Sequence, residues 1–137
     1  MYNTIIVPTD FSDEESTIQS LQKAEKLSDN GRIILLHVLE NIPAHALALA
    51  DIPTEVMQEL VPKTRDALKE LVSMSKVKAV IEVRNGNSYR QIINSVEEHE
   101  ADLIIINSHR PGLKDYLLGS TAAKVVRHSP SNVLVVR

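Results

Sequence analysis

The residues of this chain best suited to chemistry lie between positions 107 and 121, in the run Asn-Ser-His-Arg-Pro-Gly-Leu-Lys-Asp-Tyr-Leu-Leu-Gly-Ser-Thr. Gly119 permits close backbone approach, and Ser120 and Thr121 set two hydroxyls and several unpaired N–H groups at the start of the helix that follows. Such a helix end attracts anions, phosphate above all, because its free amides and its dipole both favour negative charge. From 107 to 128 four basic residues (Arg110, Lys114, Lys124, Arg127) stand against one acid, Asp115, in a chain whose net charge is −3. A plain cap is the simpler account of Ser-Thr at a helix start. The connection, however, is about twice the usual two to six residues, a length that accompanies function.

These residues are held by strands and helices that alternate along the chain. Continuous apolar runs at 4–7, 32–38, 103–106 and 133–136 read as strands covered on both faces, and 78–83 alternates enough to be another. Ser12-x-x-Glu15 has the form of a capping box for a helix over 13–29, closed by Asn30-Gly31. A helix over 54–74 should break near Pro62. Ser88-x-x-Gln91 reads as a second capping box for a helix over 89–99, and the last helix covers 122–128. The segment 40–53, with two prolines and little periodicity, reads as a long surface excursion with a short helix over 44–50, and as a lid or partner surface. Alternation of this kind implies a single-domain α/β fold, a parallel sheet with helices on both faces. Ligands of such sheets bind beyond the carboxyl ends of the strands, where the strand order reverses. There Asp10, Asp13, Glu14 and Glu15 crowd the first loop, while the loop from 107 is basic. A ligand with a hydroxyl-bearing end and an anionic end would be oriented by that contrast, and a nucleotide is such a ligand.

Composition removes several classes. A length of 137 residues is about one domain. Net acidity, three tyrosines, one phenylalanine and no tryptophan argue against nucleic acid as a partner. The absence of cysteine excludes disulfides, thiol catalysis and thiolate metal sites. Histidines at 37, 45, 99, 109 and 128 show no paired ligand spacing, so no metal is expected, and His37 reads as a packed core residue. The N-terminus lacks the pattern of a secretory leader and no apolar run approaches membrane-spanning length, so the expectation is a cytoplasmic protein with no membrane partner.

No G-x-G-x-x-G follows the first strand and no G-x-x-x-x-G-K-[ST] occurs, which sets aside dinucleotide dehydrogenases and P-loop NTPases. Response-regulator receivers would want an acidic residue ending strand three, where this chain has Arg84-Asn85-Gly86. The chain instead resembles the universal stress protein superfamily throughout its length. The residues that carry the resemblance are Ile5-Ile6-Val7-Pro8-Thr9-Asp10-Phe11-Ser12, Leu36-His37-Val38, Asn85-Gly86, and Gly119-Ser120-Thr121-Ala122-Ala123-Lys124-Val125-Val126-Arg127-His128 running into Val133-Leu134-Val135-Val136-Arg137. The resemblance implies a Rossmann-like five-stranded parallel sheet of order 3-2-1-4-5. It implies an adenine nucleotide, ATP with or without Mg2+, between strands one and four. Asp10 and Val38 would meet base or ribose, with Pro8 and Thr9 in the same binding set and Gly86 near the base, and Gly119, Ser120 and Thr121 would meet the phosphates. Where the family pattern reads Gly-x-x-Gly, this chain has Asn107-Ser108-His109-Arg110, one residue shorter before Gly119, as in the branch that reads Ser-His-Arg-Pro. His109 and Arg110 add donors there, and Gly112 completes the candidate set.

Val133, Leu134, Val135 and Val136 form an apolar strand at the sheet edge, which invites antiparallel pairing into a homodimer, as the resemblance also implies. No catalytic residue is assigned, because no general base and no acidic pair for magnesium stand at the phosphate loop. The leading expectation is a small stress-response regulator acting through ATP-dependent association. A nucleotide-free homodimeric interaction module using the 40–53 loop is the alternative. An adenylyl-transferring enzyme is disfavoured because no His-x-x-His follows strand one.

Overall fold

The computed structural model describes residues 1–40, 54–108 and 119–137, excluding the side chains of 54–58. The expected helix over 44–50, the 40–53 lid or partner surface beyond Glu40, and His109, Arg110 and Gly112 lie outside the described residues. Within them the chain order is β1 (Tyr2–Pro8), α1 (Glu14–Leu27), β2 (Ser28–Leu39), α2 (Thr54–Ser75), β3 (Val80–Asn85), α3 (Ser88–His99), β4 (Leu103–Asn107), α4 (Ser120–His128) and β5 (Asn132–Val136). All pairings are parallel and the sheet order is β3-β2-β1-β4-β5.

The continuous apolar strands have two faces to cover. Ile5, Val7, Ile33, Leu35, Leu103 and Ile105 pack with Leu21 and Ala24 of α1 and Leu68 and Leu71 of α2. Their neighbours Ile6, Ile34, Leu36, Ile104 and Ile106 pack on the opposite face with Ile92 and Val96 of α3 and Ala122 and Val125 of α4. Ile5, Ile6 and Val7 at the centre of the sheet are 0% exposed, and each such side chain contributes about 1.5–3 kcal/mol by leaving water.

Both expected capping serines yield to an adjacent Asx residue. Asp13, not Ser12, caps α1 by accepting from Ser16 N–H at 3.1 Å, and Asn87, not Ser88, caps α3 by accepting from Arg90 N–H at 3.2 Å. Ser12 is itself engaged, donating N–H and hydroxyl to Asp10. α1 also ends earlier than Asn30-Gly31, at Leu27, and those two residues belong to β2. Gly31 is required there because the register slips between Tyr2 and Thr4, bringing β1 against it: a Cβ on Gly31 would lie 2.1 Å from the Asn3 carbonyl oxygen. β3 runs to Asn85 rather than Val83, following β2 to Leu39. The break expected near Pro62 is absent. The helix crosses it, because losing one rung is tolerated where the buried stripe of Thr64, Leu68 and Leu71 continues.

β1 is anchored at its start by Asp102, whose carboxylate accepts from Asn3 and Thr4 N–H, each at 2.9 Å. Burial opposes that charge, but the backbone donors outweigh it and hold the carboxyl below its ordinary range. On the α3 side of β3 the core is replaced by charge. Glu82 accepts from Arg84 Nε (2.7 Å), Ser95 Oγ (2.7 Å) and His99 Nε2 (2.5 Å), while His99 Nδ1 accepts from Arg32. Burial works against the Glu82 carboxylate, yet these donors more than offset it and bring its pKa to about 2.

Gly31→Ala should cost about 3 kcal/mol or more by forcing β1 and β2 apart, read as a drop in the urea midpoint. Glu82 has a folded pKa below its unfolded one, so its contribution is complete above about 4.5 and fades as pH falls toward about 2. Glu82→Gln should therefore destabilise the protein by about 1–3 kcal/mol at pH 7 and make the acid limb of its stability profile shallower; an unchanged limb would disprove the assignment.

Candidate functional site

Three helices whose starts are fully described begin at the carboxyl edge of the sheet, and they differ in how their free amides are met. Asp13 caps α1, and α3 has Asn87 together with Glu40, whose Oε1 accepts from Ser88 N–H at 3.2 Å. α4 starts from Gly119, which has no side chain to offer and makes no side-chain cap. Among the described residues, its first-turn amides are thus the ones left without a side-chain acceptor.

They open onto a cavity of about 520 Å³ at the point where the sheet divides. The β1–β4 ladder consists of Ile5↔Leu103 and Ile6↔Ile104. Pro8 has no N–H to extend it, and the two strands separate. Thr9, Asp10 and Phe11 form one wall, His37, Val38, Leu39 and Glu40 a second, Leu60 and Thr64 of α2 a third, and Asn107, Ser108, Gly119 and Thr121 the end at the start of α4.

The second wall exposes one peptide edge. Thr9 N–H donates to the Leu36 carbonyl at 2.8 Å, and Gly86 N–H to the Leu39 carbonyl at 3.0 Å. Backbone groups alternate sides along a strand in a parallel sheet, so Leu36 and Val38 face β1 while His37 and Leu39 face β3. β1 turns away after Thr9, leaving Val38 with a donor and an acceptor side by side at the cavity. The turn is sharp: Phe11 sits at φ 62, and its N–H donates to Thr9 Oγ1 at 3.2 Å, which also bonds Thr17 Oγ1 at 2.9 Å. Asp10 closes an Asx turn through Oδ1 with Ser12 and remains exposed at the cavity. Across the cleft, Asn107 Oδ1 accepts from the fully buried Ser20 hydroxyl at 3.1 Å, which fixes the amide at the end of β4. Ser108 is tied to the Val136 carbonyl through N–H (2.9 Å) and hydroxyl (3.3 Å), coupling the cleft to the edge strand.

Of the residues singled out in the sequence, Pro8, Thr9, Asp10, Val38, Asn107, Ser108, Gly119 and Thr121 line one cavity. Gly86 and Ser120 do not line it. Gly86 holds φ +136 in the turn before α3, where a Cβ would meet Gln91 at 3.1 Å. His37, read from the sequence as packing, is part of the wall, with its Nδ1 donating to the Thr9 carbonyl at 2.7 Å. Leu60 and Thr64 were not singled out in the sequence, because only the fold brings α2 to the cleft, and Glu40 was read there as the start of a lid or partner surface and not as a wall of the site.

The chain matches the profile of the Universal stress protein family over residues 1–137. Universal stress protein G of Escherichia coli O157:H7 is 36% identical over 146 residues, spanning 100% of both chains. Universal stress protein MJ0577 of Methanocaldococcus jannaschii is 31% identical over 157 residues, with 100% of this chain and 96% of that one covered. The solved structure of MJ0577 superposes with a TM-score of 0.79 at 27% identity, over 99% of this chain and 96% of that one. A universal stress protein in complex with cAMP (TM-score 0.64, 22% identity, 99% and 97% covered) has the same fold. So does one from Archaeoglobus fulgidus in complex with dAMP (TM-score 0.67, 16% identity, 99% and 98% covered). This chain belongs to the universal stress protein family.

Gly119 has ordinary backbone angles, φ −59 and ψ 151, and among the described residues a Cβ there would meet the Ser108 carbonyl oxygen alone, at 3.7 Å. Gly119→Ala should accordingly fold normally and lose no more than about 1 kcal/mol, measured by thermal unfolding; a larger loss would mean that the backbone, not an anion, requires glycine.

Proposed function

We propose that this protein binds an adenine nucleotide, ATP in its regulatory state, across the cleft between β1 and β4. The observation that carries this reading is the uncapped N-terminus of α4 opening on a cavity whose other wall presents the free peptide edge of Val38. A 6-aminopurine offers an acceptor ring nitrogen beside an amine donor, the complement of that peptide's N–H and C=O. Asp10 would accept from a ribose hydroxyl, and Gly119 and Thr121 with the α4 amides would receive phosphate, a reading supported by their lining one cavity. A cavity of about 520 Å³ falls within the usual range of about 300–1,000 Å³ for small-ligand pockets. His109, Arg110 and Gly112 belong to the connection into Gly119, and the two donors there would add charge-assisted contacts to a polyphosphate, with or without Mg2+. The relatives solved with cAMP and dAMP are consistent with this class of ligand.

The role that follows is that of a small cytosolic stress-response regulator, acting by nucleotide-dependent association rather than turnover. Association would use β5. Val136 accepts from Ser108 N–H toward β4, so by alternation Val133 and Val135 turn their backbone groups to the open edge. Leu134 adds an apolar side chain that is 37% exposed. Antiparallel pairing of this edge would give a homodimer and link it, through Ser108, to the phosphate end of the cleft. The 40–53 loop would offer a surface for a further protein.

Calorimetric titration of ATP and AMP, with and without magnesium, should show binding by the native protein that weakens about tenfold or more in Gly119→Val, whose branched side chain shields the α4 amides. A native protein that yields no heat and carries no nucleotide would overturn the reading. Light scattering should give twice the chain mass at micromolar concentration, and Val135→Pro, which removes an outward N–H but none that β4 uses, should give a monomer.

A further inference from the structure

We infer that His37 is a positioning residue: by taking the Thr9 carbonyl, it keeps the Val38 peptide edge from being closed by the chain's own first strand. The inference rests on the nucleotide reading above for what the edge is open to, but not for the device itself.

The register makes the competition explicit. Pro8 pairs with Leu36, so one further rung would set Asp10 opposite Val38 and direct the Val38 N–H to the Thr9 carbonyl. That bond is not formed. The Thr9 carbonyl instead accepts from His37 Nδ1 at 2.7 Å, which places the proton on Nδ1 because a carbonyl cannot donate. The imidazole ring also meets the Phe11 ring, with centroids 4.6 Å apart and planes inclined by 52°. Phe11 in turn occupies the left-handed region at φ 62, a conformation that costs about 1 kcal/mol or more and persists only where its surroundings enforce it. One side chain thus does two things at the end of β2: it satisfies the acceptor that β1 would have offered to Val38, and it seats the aromatic residue that bends β1 away. With the imidazole donor removed, the Thr9 carbonyl is left needing a partner, and the Val38 N–H is the one that the β1–β2 register would supply. β1 would gain a rung, and the cleft would lose its base-reading edge.

Two variants separate the donor from the ring. His37→Phe keeps aromatic packing but cannot donate, whereas His37→Asn places an amide N–H near the position of Nδ1 and has no ring. In the ligand-free protein, amide hydrogen exchange followed by NMR should find the Val38 N–H unprotected in the native chain and in His37→Asn, and slowed about tenfold or more in His37→Phe. Imidazole 15N shifts should report the Nδ1-protonated tautomer in the native chain. With nucleotide, the native protein and His37→Asn should prefer AMP over IMP by about tenfold or more, since a 6-oxopurine opposes donor to donor and acceptor to acceptor, and His37→Phe should lose that preference. A protected Val38 amide in the native protein, an unprotected one in folded His37→Phe, or an Asn variant that behaves like the Phe variant would each overturn the inference. Should the native chain bind neither nucleotide, the nucleotide reading fails alone, and the exchange pattern still decides the role of His37.

Discussion

The central constraint on this structure is that β1 and β4 pair over only two rungs and then part. A parallel sheet whose strands are buried on both faces gains from every additional rung, so a split in its middle must be enforced. Pro8 enforces it on one side by lacking the N–H that β4 would need, and the turn through Asp10 and Phe11 enforces it on the other. The apolar core up to this line is continuous. Past it, the same strands offer unpaired backbone groups to a cavity, and the strand order reverses at this place because β2 and β4 flank the first strand. Position and chemistry of the cleft therefore share a single cause.

The cleft is electrostatically sorted by how the chain treats its helix starts. An N-terminus within a fold must find acceptors for its amides, and the sequence supplies them at α1 and α3 as carboxylates and an amide from neighbouring loops. Those acceptors make their end of the cavity acidic and self-sufficient. α4 receives none. The contrast arises from Asp13 and Asn87 beside their own helices and from Glu40, 48 residues before Ser88, and it gives the cavity a direction along which a polar ligand would align.

The architecture was largely legible because it rests on the strongest sequence signal, uninterrupted apolar runs: the cores of β1, β2, β4 and β5 fall where those runs lie. What the sequence concealed are choices between near-equivalent neighbours. Ser12 and Asp13, or Asn87 and Ser88, are all good caps, and the winner depends on which residue carries the extended backbone at the helix entrance. Asn30 and Gly31 read as a helix end because glycine commonly serves there; the real demand on Gly31 comes from Asn3, a contact that no local pattern encodes. In the site, the residues placed by loops directly after strands were readable as a set, whereas His37 looked apolar in context because its polar partner is a backbone carbonyl 28 residues away in the chain.

The two edges of the sheet are finished differently. β3 carries Glu82 and Arg84 on its α3-facing side, locked with Glu98, His99 and Ser95, while β5 ends in a run of valine and leucine. A sheet with two adhesive edges can add copies head to tail without limit, and fibres are the natural product of such polymerisation. A sheet with a single adhesive edge has nothing left to offer once that edge is matched against its own kind, so growth terminates at two. In the β5 dimer proposed above, the charged finish of β3 would act as a limit on assembly size: it would let an apolar edge stay exposed at the other side of the sheet without making the protein an aggregation hazard.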